Sequence, residues 1–380
     1  MTKKAHLLAL IFCLFLALLA PSLVQAQGGL AILDSRAQAE FPYRLNFSLS
    51  AESDVNITDI RLHYRVDRIG FAQVISEVYV EFVPANTVRI DWPLDMVKVG
   101  GLPPGSSIDY WWAVEDAKGD RVETAPVVVT FDDTRYPWQS LTEGKVAIYW
   151  YQGDESFARE LMATAQQALA RLAGDTGAEL EKPVKLYIYA NTQDLQGAMI
   201  YPQEWTGGAT FIRHGIVAIG IAPGNVDWGK RAIAHELSHL VISQVTLNPY
   251  IDLPNWLDEG LAMHTEGPLE PVFADSLNRA IAEDRLISVR SLSSPFSAYA
   301  EKSILSYAQS YSLVDFLITN YGRGKMLELL NTFRQGDSCD GALGKVYGFD
   351  MDGLDALWRA YVIAPAQPST MSAALVGVGY

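Results

Sequence analysis

The chain has 380 residues, of which 49% are hydrophobic, 19% charged and 11% aromatic. That balance excludes a disordered chain, a collagen and a coiled coil. With 29 Lys and Arg against 44 Asp and Glu, the formal charge is -15, which excludes a nucleic-acid binder that works by neutralising phosphates.

In chain order, Lys3 and Lys4 precede an apolar run from Leu7 to Ala20, which Pro21 and Ser22 break. Val24-Gln25-Ala26 then places small residues where a signal peptidase reads, so residues 1–26 are expected to be a signal peptide cleaved before Gln27. The expected location is secreted or extracytoplasmic. The apolar run is shorter than a typical membrane span, and no second run is long enough for one. Retention of the signal as an anchor is the alternative. Cys13 would leave with the signal, and Cys339 alone cannot form an intramolecular disulfide. Stability must then come from burial, which a chain of this length can supply.

Residues 28–135 read as strands. Tyr43–Leu49, Ile60–Val66 and Val78–Phe82 alternate apolar and polar, and Val88–Trp92, Ile108–Val114 and Val127–Phe131 follow. Turn signals such as Gly100-Gly101-Leu102-Pro103-Pro104-Gly105 separate them. Short alternating strands at this spacing predict an antiparallel β-sandwich of immunoglobulin or fibronectin III type, a packing, spacer or binding module. Asp132–Trp138 reads as a short linker.

From 136 to 363 the pattern changes to α+β, with a small mixed sheet and a helical C-terminal half. Val146–Tyr151 and Val184–Tyr189 predict strands, and Phe157–Leu172 a helix. Gly208–Ile221, with a turn at Gly215, predicts a hairpin or two short strands. Helices are predicted at 228–245, 255–264, 274–282, 298–321, 324–333 and 352–361. The uncharged stretch 364–380 is expected to be a flexible tail.

The chemistry lies in Ala234-His235-Glu236-Leu237-Ser238-His239. On a helix, positions i and i+4 share a face, so His235 and His239 can offer imidazole nitrogens to one metal ion. Glu236, one residue on, can reach water beside that ion as a general base. A catalytic zinc site needs a third protein ligand and an open position. A third histidine of the extended pattern is absent, because Ile242 and Val245 occupy the positions it requires. Trp256-Leu257-Asp258-Glu259-Gly260-Leu261-Ala262 offers a carboxylate instead. Glu259 follows His239 after 19 residues, room for a loop between Pro249 and Pro254 and a second helix. Asp252 is a rival for the third ligand.

His-Glu-x-x-His followed by Trp-Leu-x-Glu-Gly-x-Ala resembles the gluzincin zinc metallopeptidases. It is nearest the peptidase MA-like group, and more distantly the thermolysin and aminopeptidase-N-like catalytic domains. The resemblance covers roughly 145–362. It implies Zn2+ held by His235, His239 and Glu259, with Glu236 as general base. It implies a Tyr that stabilises the oxyanion, which maps onto Tyr307, with Tyr311 one turn on as the alternative. It also implies an edge strand that binds substrate backbone, here Gly208 and Ala209. Aminopeptidases carry an acidic residue on that strand for the substrate's amine; this chain has Thr210 or Phe211 there, which favours an endopeptidase.

The expected function is therefore a secreted zinc metallopeptidase acting on a peptide or protein substrate. It has no nucleic-acid partner and no membrane span once the signal is cleaved. The oligomeric state is left open. The alternative is a non-catalytic cell-surface or extracellular binding protein with a vestigial or structural zinc site. His63 and His214 read as structural, and His264 as a surface or packing residue, with support of a metal ligand as the alternative. Asp258 either orients a ligand or begins a helix, and Cys339 reads as a buried or idle thiol. Asn46-Phe47-Ser48 and Asn56-Ile57-Thr58 are formal glycosylation sequons.

Overall fold

Alternation of side chains along Arg44–Val66 builds a single strand of 23 residues, and the first part of the fold is organised on it. The computed structural model describes residues 29–202, 207–297 and 299–363. The expected signal at 1–26 and tail at 364–380 lie outside the described residues. The described residues divide into two compact units. One ends at Asp133 and excludes Arg68–Ala72; the other holds Arg68–Ala72 and the chain from Thr134 onward.

The first unit comprises β1 (Ala31–Glu40), β2 (Arg44–Val66), β3 (Ser76–Tyr79), β4 (Ala85–Asp95), β5 (Ser106–Asp116), β6 (Arg121–Glu123) and β7 (Val127–Phe131), with a one-turn helix α1 (Met96–Val99). Every pairing is antiparallel. The expected two-sheet sandwich is instead one curled sheet of seven strands. The reason lies in β2. Leu45, Phe47, Leu49 and Ala51 are buried at odd positions, Ile60 and Leu62 at even ones. The parity changes where the register on β5 shifts, between Ile57 and Asp59. An extra residue at such a bulge bends the strand and increases its twist. The first half of β2 carries β1 and β4, and the second half carries β3 and β5. The curl brings Phe47 from one half to within 5.0 Å of Tyr110 from the other, measured between ring centroids.

The second unit begins with β8 (Gln139–Glu143), β9 (Val146–Trp150), α2 (Glu155–Thr176), β10 (Val184–Tyr189), α3 (Thr192–Gln196), β11 (Gly208–Phe211) and β12 (Ile216–Gly220). Its sheet has the order β11-β12-β10-β9-β8. The three central strands are parallel, and β11 and β8 run antiparallel at the two ends. The predicted hairpin is β11 and β12, joined by a 3-10 turn and Gly215, whose φ of 63° suits glycine. On one face Ile148, Leu186, Ile188, Val217 and Ile219 enter the core with Leu161 of α2. In register, Gly208 pairs with Ile219 and Thr210 with Val217. Pleating therefore turns Gly208 and Thr210 to that same core side, and Ala209 and Phe211 to the other.

The rest is helical: α4 (Val226–Val245), α5 (Asn255–Glu266), α6 (Pro271–Ala282), α7 (Val289–Leu292), α8 (Ala300–Arg334), α9 (Cys339–Tyr347) and α10 (Met351–Ile363). The predicted division of α8 is real: Gly322 breaks its helical geometry at φ 80° and ψ 168°. Two glycines set close approaches that place the site. A Cβ at Gly229 would lie 2.5 Å from Ile221 Cγ2, so α4 can lie tight on the strand exit. A Cβ at Gly260 would lie 2.4 Å from the Ser310 carbonyl, so α5 needs glycine there to pack on α8. Among the described residues, no helix is long and apolar enough to cross a membrane.

Candidate metal centre

Helix α4 buries Ile233, Leu237, Leu240 and Val241 completely or nearly so. Its other side carries Arg231, His235 and His239 at four-residue spacing, with Glu236 alongside, all only partly exposed. Trp256, Leu257 and Leu261 bury the far side of α5, and Glu259 is thereby turned toward the histidines. Glu259 Oε2 lies 3.3 Å from His235 Nε2 and 3.7 Å from His239 Nε2. Ligand atoms of all three residues fall within 4.8 Å of one another, the one such group among the described residues.

That oxygen is buried and accepts no hydrogen bond of good geometry. A buried carboxylate oxygen that faces two imidazole nitrogens, with no well-formed hydrogen bond of its own, fits a cation. Two imidazoles and one carboxylate suit Zn2+ with a fourth position open. Asp252 is exposed and outside the group, so the rival third ligand is not in place.

Each histidine is held from behind. His235 Nδ1 lies 2.8 Å from Glu266 Oε1, and His239 Nδ1 lies 3.1 Å from Asp258 Oδ2. An Nδ1–H given to a carboxylate leaves the Nε2 lone pair for the metal and fixes the ring. Arg231 pairs with Glu266 at 3.0 Å and with Glu270 at 3.4 Å. Of the two possibilities for Asp258, the orienting one is what the geometry provides. Glu266 escapes the sequence reading, although it follows Glu259 by seven residues, the spacing that returns to one helix face.

Without a metal the carboxylates around the two imidazoles favour their protonated form. Burial opposes the charged form of His235, but Glu259 and Glu266 outweigh it and lift the imidazole to about 10. His239 is raised in the same way: burial opposes, and Asp258 outweighs it. Burial works against ionised Asp258 as well, and His239 overcomes it, so its pKa falls. A divalent cation would take the place of these protons.

Glu236 faces β11. The Thr210 hydroxyl donates to its Oε2, and a Cβ at Gly208 would come within 3.1 Å of its Oε1. Ala209 lies between them on the opposite face of this end strand. A cleft of about 420 Å³ opens beside the centre, lined by Trp228, Arg231, His235, Glu236, Glu270 and Phe273 among others.

The two tyrosines separate. The Tyr307 ring lies 6.5 Å from that of His235, with Phe296 against it at 5.1 Å. Burial and the charges of Glu259, Glu236 and Glu266 raise its pKa, so the phenol keeps its proton. Tyr311 stacks on His264 at 5.6 Å, away from the His–His–Glu group. His264 has Asp175 and Asp315 at its two nitrogens. His63 sits between Glu77 and Trp111 on the first sheet. His214 is pushed down to about 4 by burial and by Arg68. Burial pushes the Cys339 thiol up to about 12, so it is no nucleophile at neutral pH.

No curated protein matches the chain. Among solved structures, OgpA from Akkermansia muciniphila is similar at 10% identity and a TM-score of 0.22, over 30% of this chain and 31% of that one. The chain thus spans about a third of the length of OgpA. The M1 zinc metallopeptidase from Deinococcus radiodurans is similar at 13% identity and a TM-score of 0.34, over 92% of this chain and 97% of that one. A mutant of that enzyme bound to a Tyr-Ser-Ala substrate is similar at 14% identity and a TM-score of 0.35, with the same coverage. The decisive match is to a family. Residues 164–364, more than half of the chain, match the Peptidase MA superfamily. That span holds both histidines, Glu236 and Glu259, and the chain belongs to the Peptidase MA superfamily.

Proposed function

We propose that the protein is a secreted zinc-dependent endopeptidase, with residues 136–363 as its catalytic domain and 28–135 as an accessory β domain. The observation that carries this is the convergence of His235, His239 and Glu259 on one point, with Glu236 beside it. Zn2+ held there would polarise the scissile carbonyl and lower the pKa of water toward neutrality.

The chain's own groups do the rest. Glu236 accepts a proton from the attacking water and passes it to the leaving amine. Tyr307, kept protonated by its surroundings, donates to the oxyanion as it forms. Gly208 and Ala209 offer strand backbone to an extended peptide in the manner of β-addition. The neighbouring cleft gives room for a substrate side chain. Internal cleavage is supported by β11 itself: Phe211 is apolar, and the Thr210 hydroxyl is engaged with Glu236, so the strand offers no carboxylate to a substrate's terminal amine.

The test uses the zinc-loaded protein and an unstructured protein substrate. Glu236→Gln should lose about 10²- to 10⁴-fold in kcat, the usual worth of a general base, while its zinc content stays that of the wild type. Undiminished cleavage by that variant contradicts the mechanism.

A further inference from the structure

We propose that Thr210 is a positioning residue for Glu236, and that β11 thereby selects which carboxylate oxygen handles the proton. The proposal rests on the reading of Glu236 as general base.

Strand parity supplies the first part. Gly208 and Thr210 pair with Ile219 and Val217, whose side chains enter the core beneath the helices, so both face α4. The two oxygens of Glu236 meet these two positions. The Thr210 hydroxyl donates to Oε2. Oε1 lies where a Cβ on residue 208 would reach 3.1 Å, a space that glycine keeps free. The donor at 210 holds Oε2, and the missing side chain at 208 leaves Oε1 uncrowded.

Residue type supplies the second part. Threonine is β-branched and stiff at χ1, so a strand backbone fixes its hydroxyl direction. The hydroxyl has one proton to donate. Spent on Oε2, it leaves the lone pairs of Oε1 for the reaction. A water O–H bond breaks, its proton goes to Oε1, and the electron pair remains on the oxygen that attacks the carbonyl carbon. The same proton then passes from Oε1 to the amine nitrogen as the C–N bond breaks, and the carboxylate is restored. Thr210 keeps its own proton throughout. The strand that would take up the peptide backbone at the end of the sheet is therefore also the one that sets the base.

The experiment compares zinc-loaded wild type, Thr210→Val, Thr210→Ser and Gly208→Ala, with Glu236→Gln in the same assay. Thr210→Val should lower kcat about tenfold, a part of the general-base contribution, with KM and zinc content unchanged. Thr210→Ser should recover most of the loss, and Gly208→Ala should lower kcat by crowding Oε1. Wild-type kcat in Thr210→Val, alongside a dead Glu236→Gln, overturns the role of Thr210 and leaves the base in place. Full activity in Glu236→Gln overturns both. A changed KM with unchanged kcat, or loss of zinc, would make Thr210 a binding or folding residue and overturn the proposal. A crystal structure of Thr210→Val reads the same question without turnover: the Glu236 carboxylate should leave its place against β11, and an unmoved carboxylate contradicts the assignment.

Discussion

His235 and His264 have the same kind of neighbours and different fates. Each has a carboxylate at both ring nitrogens and a tyrosine near its ring. At His235 the inner carboxylate is shared: Glu259 Oε2 also faces His239 Nε2. At His264 the nitrogens point to separate groups, Asp175 at 3.4 Å and Asp315 at 3.7 Å, and among the described residues it belongs to no metal-ligating group. Composition is alike at the two places; convergence on one point exists at only one of them. The cause is helical spacing, since four residues bring His239 back to the face of His235.

The sharpest way to break this contrast is through the tyrosines. Tyr307→Phe should cost about 10²- to 10³-fold in kcat, the usual loss for one oxyanion donor, with little change in KM. Tyr311→Phe, on the His264 side, should leave turnover near that of the wild type. Equal losses in the two variants would erase the distinction between the two places.

A smaller effect should appear in stability. In the metal-free protein burial pulls His235 down, but its carboxylates outweigh that and raise it from 6.5 to about 10. A raised pKa stabilises the fold most below the unfolded value, so the contribution is full below about 6.5 and is lost as pH rises through about 10. Thermal unfolding in chelator should show wild type losing its advantage over His235→Gln across that window. Zinc-loaded wild type should not show the loss there, because the ligand nitrogens then hold metal and not protons. A pH-independent difference between wild type and His235→Gln in chelator would contradict the paired state.

What is legible in the sequence is periodic. The ligands lie on two helices, and spacing on a helix states which side chains share a face. The same logic locates the break in α8, where Gly322 ends one helix before the next. Glu266 obeys it too, at seven residues from Glu259, but it lies beyond the motif that marks the site. The bond from Thr210 to Glu236 is not legible, because it depends on the register of β11 against β12 and on where α4 crosses them. The sandwich expectation fails for a related reason. Alternation on either side of Asp59 reads as two strands, whereas a bulge joins them into β2 and bends one sheet around its own core.

The central claim is tested most directly by counting zinc. The wild-type chain, His239→Ala and His264→Ala are each equilibrated with zinc, dialysed against metal-free buffer and assayed for bound metal. One zinc per chain should remain in the wild type and in His264→Ala, and none in His239→Ala. Zinc retained by His239→Ala, or lost by His264→Ala alone, would contradict the placement of the metal centre.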